Sequence, residues 1–302
     1  MVAALAAAAT LCRPTAGVGE VRYTRGRFVH VLDASTCSDR VVGKAAAAAP
    51  TLVVRSANGR VARIAGTLRS AAESIVVDGR RIFRETQRYK TIGPGDTPGP
   101  IVLFGWSGDS RWLFFTIDPG ASMSIAADGL ILRAIAATGG RVHELGPMLM
   151  YRDYLTWCGG RLVWSGGGGR LAIHEKRLLT AAPPDWRPRA LVPNAGRAWG
   201  SLTCTPDGKA VVVQAQRDTN DDIFWHAHWS LWRIGLDGSQ RRLTSPPAGY
   251  ADDTPRFAGT TLLFVRSHKS RGVLRTQAAP LASLGSDIGY YDHHAWPYSV
   301  RR

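Results

Sequence analysis

The densest run of metal ligands and proton carriers in the sequence lies between Asp218 and His228, reading Asp-Thr-Asn-Asp-Asp-Ile-Phe-Trp-His-Ala-His. His226 and His228 are two apart, so in a strand they share one face. Asp221 and Asp222 just upstream add carboxylate oxygens to the two imidazole nitrogens. Such a donor set suits zinc or manganese, and a divalent metal is the one cofactor the sequence admits. A zinc site needs a third ligand in place. A solvated acidic loop beside two half-buried histidines explains the same residues without a metal, and is the reading favoured here. His293 and His294 have the same standing.

The four cysteines, Cys12, Cys37, Cys158 and Cys204, contain no Cys-x-x-Cys pair and no zinc-type spacing. Cys158 and Cys204 occupy equivalent places, each closing a strand just before a turn. A disulfide between them is open if their Cα atoms approach within about 7 Å. Two buried thiols are the alternative. The bridge is preferred and fits an exported protein; the partners of Cys12 and Cys37 are left open.

Nucleophilic chemistry finds little support. The chain has no Gly-x-Ser-x-Gly elbow, and Gly166 to Gly169 lacks the Gly-Lys-Ser/Thr ending of a phosphate loop. Asp109, Asp207, Asp237 and Asp252 are candidate acids, but each is read at a turn, where Asp accepts backbone N–H bonds.

The elements that must position these residues are read from the stretch 201–257. There, strand-length apolar runs are cut by Pro206-Asp207-Gly208 and Asp237-Gly238-Ser239, turns that supply the positive φ of tight antiparallel connections. The first such turn recurs. Arg60, Arg111, Arg161, Lys209 and Thr260 close its five copies at spacings of 51, 50, 48 and 51 residues, near the roughly 50 of a kelch-type blade. A small sheet that cannot bury both faces alone must repeat and stack.

These residues carry a resemblance. Pro206-Asp207-Gly208-Lys209, the Leu-Trp-Arg-Ile strand before Asp237-Gly238, the following Arg-Leu-Thr, and Asp252-Asp-Thr-Pro-Arg-Phe257 together resemble the blade repeat of TolB-type propellers. The match is best over 201–266 and weaker over 100–190. Gly159-Gly160 lacks the Pro-Asp pair, and Ala258-Gly259-Thr260 is a shortened turn.

The fold expected is therefore all-β: a six-bladed β-propeller of four-stranded antiparallel blades, closed by pairing of the N- and C-terminal segments. One propeller domain is expected over 18–302, after a signal peptide or disordered N-terminus at 1–17. Residues 18–45 form a partial blade that the tail completes. A full blade follows at 51–54, 61–64, 74–77 and 81–83, then a Gly- and Pro-rich linker at 94–100. The next blade takes 101–106, 112–117, 130–136 and 141–145. Another takes 154–157, 162–164, 170–173 and 189–192, with 176–188 as a long excursion. The blade at 201–244 follows, and the last has strands at 256–257, 262–266 and 273–276. The aromatic tail, with Tyr290, Tyr291, Trp296 and Tyr298, is expected to dock and close the ring.

Composition sets bounds. Forty-five per cent apolar residues suffice for a core, and 33 glycines suit a chain of many turns. The net charge of +15 would suggest nucleic acid, but no Lys/Arg run exceeds a pair and no basic–aromatic interleaving occurs. A basic, arginine-rich surface is the simpler reading. Val2 to Leu11 is too short to span a bilayer and fits the apolar core of an export signal without its basic leader. An exported monomer is expected, with a cytoplasmic protein as the alternative. Two functions follow from the fold: a non-enzymatic binding protein holding a protein, peptide or small anionic ligand at the channel mouth, or a lyase or hydrolase acting on a sugar or peptide there. Binding is preferred.

Overall fold

A computed structural model of the chain describes residues 12–45, 53–66, 73–86, 101–118, 129–168, 174–219, 228–269, 271–286, 296 and 298–300, with the backbone of short strands at 88–90 and 96–98. The strands run in chain order as β1 (Glu20–Arg25), β2 (Phe28–Asp33), β3 (Ser38–Lys44), β4 (Val53–Arg55), β5 (Val61–Ala65), β6 (Ser74–Val77), β7 (Arg80–Arg84), β8 (Arg88–Lys90) and β9 (Asp96–Pro98). They continue as β10 (Ile101–Trp106), β11 (Trp112–Ile117), β12 (Leu130–Ala136), β13 (Val142–Met148), β14 (Leu155–Cys158), β15 (Arg161–Gly166), β16 (Arg177–Ala181) and β17 (Arg189–Ala190). The last are β18 (Arg197–Cys204), β19 (Ala210–Arg217), β20 (Ser230–Gly235), β21 (Gln240–Arg242), β22 (Tyr250–Ala258), β23 (Thr261–His268), β24 (Arg271–Thr276), β25 (Pro280–Ser286) and β26 (Tyr298–Val300).

Among the described residues these strands form six four-stranded antiparallel sheets and one two-stranded ribbon, β8–β9. The fold is a six-bladed β-propeller, as its sequence period requires. The chain divides into two compact units, Ala48–Ala198 and Met1–Ala47 with Trp199–Arg302. The first holds the sheets β4–β7, β10–β13 and β14–β17. The second holds β18–β21, β22–β25 and a composite sheet in the order β26-β1-β2-β3. In that sheet Val21 pairs with Val300 and Tyr23 with Tyr298, so the C-terminal strand completes the blade that the N-terminus begins.

The repeating turn works through side-chain chemistry. Ser56, Ser107 and Thr205 each donate a hydroxyl to the Asn or Asp two residues on, at 2.6, 2.5 and 2.5 Å. The chain then reverses through a left-handed residue, Gly59 at φ +87° and Gly208 at +67°, where any residue with a Cβ is disfavoured. Gly26, between β1 and β2, adds a sixth copy at +58°. Burial is high in most second strands and lowest in some outer ones. β19 buries every residue but its last, whereas β21 and β3 are exposed throughout. Exposed outer strands rich in arginine, such as Gln240-Arg-Arg, blunt sheet edges against further pairing.

Four details depart from the sequence reading. The third strand of the fourth blade in chain order is Arg177–Ala181, within the expected excursion; the assigned 170–173 lie outside the described residues. Leu178 and Thr180 are buried, and the true connection is 182–188, rich in proline. The last blade has a fourth strand, Pro280–Ser286, beyond the three expected. The 94–100 linker carries half of the ribbon. Asp252 is in β22, not at a turn, because a bulge between Asp253 and Arg256 takes up Thr254 (φ +49°) and Pro255. A bulge is where a strand tolerates proline.

Residues 12–17 belong to the fold. Cys12 and Cys37 form a disulfide with Cα atoms 5.8 Å apart, and backbone bonds run from Arg13 N to Pro280 O and from Thr15 N to Ala34 O. Cys158 and Cys204 are also disulfide-bonded rather than free.

Candidate functional site

Of the metal candidates, Asp221, Asp222 and His226 lie outside the described residues. His228 is exposed, two residues ahead of β20 rather than within it, and its backbone N–H donates to Gln216 Oε1 at 2.9 Å. Among the described residues no group of three or more His, Cys, Asp or Glu side chains converges.

The candidate acids are bound into the framework. Asp207 accepts the Thr205 hydroxyl and the Lys209 N–H at 3.0 Å, and these bonds, the hydroxyl first, hold its carboxyl below the usual range. Asp237 is held down in the same way by the Ser239 hydroxyl and N–H. Asp109 accepts the Arg111 N–H at 3.2 Å. Asp252, wholly buried, is clamped by Arg266 through Nε at 2.7 Å and Nη2 at 2.8 Å. Its neighbour Asp253, also buried, accepts Gln214 Nε2 at 2.7 Å, Ser267 Oγ at 2.6 Å and Trp296 Nε1 at 3.4 Å. This cluster ties β19, β22, β23 and the tail together, and both carboxylates are committed to the framework by it.

The ends of the sheets differ. First-to-second connections are tight turns, while second-to-third connections, at the opposite end of each sheet, are long in four blades: 66–73, 118–129, 167–176 and 218–229. Recognition residues concentrate on loops held by a rigid scaffold.

A second feature lies at the tight-turn end of the sheet β14–β17. There the third-to-fourth connection is not an Asp-Gly turn but residues 182–188, Ala-Pro-Pro-Asp-Trp-Arg-Pro. Trp186 anchors it. Its ring is buried and sits 4.9 Å from Trp112, 5.8 Å from Phe114 and 6.4 Å from Trp157 by centroid. The first two pairs are T-shaped, an arrangement that contributes about 0.5–1.5 kcal/mol each beyond burial. Beside the loop is a cavity of about 390 Å³ lined by Arg161, Arg187 and Arg189, with Thr180, Asp185 and the prolines 183 and 188. Arg161 Nε is buried and without a hydrogen-bond partner. Leaving such a donor unpaired costs about 1–3 kcal/mol.

The sequence reading missed this cavity, although a signal was present. Arg60, in the first-to-second turn of its own sheet, bonds through Nε to Asp78 of the Asp78-Gly79 turn at 2.8 Å. Arg161 follows the corresponding turn, but the Asp-Gly opposite has been replaced by the 182–188 insertion.

No family model matches the chain, and no curated protein matches it. Solved structures similar to it include TolB from Acinetobacter baumannii, at 12% identity and TM-score 0.48, covering 92% of this chain and 63% of that one. A putative TolB from Agrobacterium tumefaciens follows at 14% and 0.46, covering 88% and 89%. An oligogalacturonate lyase in complex with manganese aligns at 10% and 0.47, covering 87% and 71%. The chain thus spans less than two thirds of the first of these. Its six four-stranded antiparallel sheets make it a six-bladed β-propeller, and TolB structures are among those it resembles.

Proposed function

We propose that this chain is a non-enzymatic binding protein, exported from the cytoplasm, that engages a protein or peptide through the long second-to-third-strand connections of its blades. The observation that carries this reading is the asymmetry of the sheets, with tight turns at one end and connections of eight or more residues at the other in four blades. The commitment of Asp109, Asp207, Asp237, Asp252 and Asp253 to framework hydrogen bonds supports it, since general acid–base catalysis needs a carboxyl free to meet substrate. The oxidised cysteines support export.

The test replaces 118–129 and 218–229 by Asn-Gly turns. The parent should bind a purified partner, first found by cross-linking in an exported fraction, and the variant should keep its melting temperature and lose that partner. The reading also holds the protein free of a tightly bound metal. Stoichiometric zinc or manganese by elemental analysis, lost in a His226→Ala/His228→Ala double variant together with turnover of a peptide or sugar substrate, would overturn it in favour of a lyase or hydrolase.

A further inference from the structure

We infer that the cavity framed by Arg161, Arg187 and Arg189 is a binding site for a small ligand bearing an oxyanion, a carboxylate or a phosphate. Among the described residues no hydrogen bond or ion pair engages any of the three guanidinium groups. Asp185, exposed at the same cavity, is the lining's one carboxylate and forms no ion pair with them, so three arginines and one aspartate leave a net charge of +2.

The protein shows elsewhere what an arginine Nε in such a position takes. Arg266 uses Nε and Nη2 to grip both oxygens of Asp252, and Arg60 uses Nε on Asp78. A guanidinium fork fits a planar carboxylate or a phosphate edge in two parallel bonds. At Arg161 the internal carboxylate is gone, and the residue lines the cavity instead. A volume of 390 Å³ lies within the roughly 300–1,000 Å³ of small-molecule sites.

The walls are built rather than loose. Trp186 is held among three aromatic rings, its backbone N–H donates to Ala182 O at 3.0 Å, and Thr180 Oγ1 donates to Leu162 O at 2.9 Å. Arg161 starts β15 and the 167–176 connection follows its end, so this site lies at the opposite end of the sheet from the long connections. It goes beyond the partner-binding role proposed above, and either can fail without the other.

The experiment titrates the full chain with inorganic phosphate and, separately, with citrate, at ionic strength held constant with sodium chloride, following the melting temperature. One of the two should raise it saturably, by about 5 °C at a hundredfold excess over Kd, and whichever does identifies the source as phosphate or carboxylate. Arg161→Leu should abolish the rise. Arg189→Gln, at an exposed position, should weaken it about tenfold in apparent Kd without disturbing folding, and so decides the matter if Arg161→Leu does not fold. Partner capture through the long connections should be unchanged in Arg189→Gln. No saturable rise with either anion, or a rise that persists in Arg189→Gln at the parent's Kd, overturns the inference; phosphate stabilises proteins non-specifically, but without saturation.

Discussion

Trp296 should be required for the tail to dock, and Gly272 should be required for Trp296. The indole is 2% exposed and belongs to the core formed by the composite sheet and β22–β25. A Cβ built on Gly272 would meet Trp296 Cη2 and Cζ3 at 2.7 Å each and Val265 Cγ1 at 2.8 Å. Burying an indole removes roughly 200 Å² from water, which at about 25 cal/mol per Å² is near 5 kcal/mol as an upper bound. Trp296→Ala is therefore expected to cost about 3–5 kcal/mol. Gly272→Ala forces the ring or strand to shift, costing about 1–3 kcal/mol, of which the better strand entropy of alanine returns roughly 0.5–1.

The decisive quantity is the coupling between the two. Once the ring is gone, the methyl introduced by Gly272→Ala has space on one side and only Val265 to displace. That substitution should then cost at least about 1 kcal/mol less in the Trp296→Ala background than in the parent. Urea unfolding followed by far-ultraviolet circular dichroism, which does not depend on the deleted fluorophore, gives all four corners of the cycle. Equal costs in the two backgrounds, within about 0.5 kcal/mol, would refute the packing assigned to the tail.

Glu73 lies buried, accepts the Ile101 N–H at 2.5 Å, and has its pKa raised by burial, which the hydrogen bond only partly offsets. A carboxyl with a raised folded-state pKa contributes its stability in full below the unfolded value, near 4.3, and loses it as pH rises through the folded value. Glu73→Gln, which keeps the acceptor, should thus raise the melting temperature at pH 7 and leave it nearly unchanged at pH 4; an equal effect at both would refute this. Arg266→Ala strands the fully buried Asp252 carboxylate and should cost about 3–5 kcal/mol in a urea melt, whereas a cost under about 1 kcal/mol would show the pair to be dispensable. Cys158 and Cys204 are expected to be joined to one another, and peptide mapping without reductant should recover the linked fragments. Free alkylation of both in denatured, unreduced protein would remove that pairing.

The blades were legible because their signals are local. A left-handed residue specifies each turn without help from the rest of the chain, after a Ser or Thr two residues before Asn or Asp at 56–59, 107–110 and 205–208. Five copies at nearly equal spacing then fix the architecture, and the composite sheet follows from the partial blade and aromatic tail, where Tyr298 pairs with Tyr23 and donates to Thr254 O at 2.5 Å. Asp252-Asp253-Thr254-Pro255 misled because the same residue types build turns and bulges. Only the partner, Arg266 fourteen residues on, distinguishes the two. Strand β16 was misplaced because the insertion after it disturbs the spacing on which the fourth blade was read.

That disturbance also explains why the arginine cavity was not read from sequence. In a repeat protein each blade is a control for the others. Where Arg60 meets Asp78, the fold supplies both charges, and the pair is part of the framework. Where Arg161 meets Ala-Pro-Pro-Asp-Trp-Arg-Pro, the insertion spends Trp186 on an aromatic core and brings Arg187 to the same cavity, beside Arg189 at the start of β17. An insertion that served stability alone would be expected to close over the orphaned Nε with an acceptor, because a buried unpaired donor is costly. This one is anchored firmly yet leaves the donor without a partner. A site of that kind becomes visible only when the departure from the repeat and the missing partner are considered together.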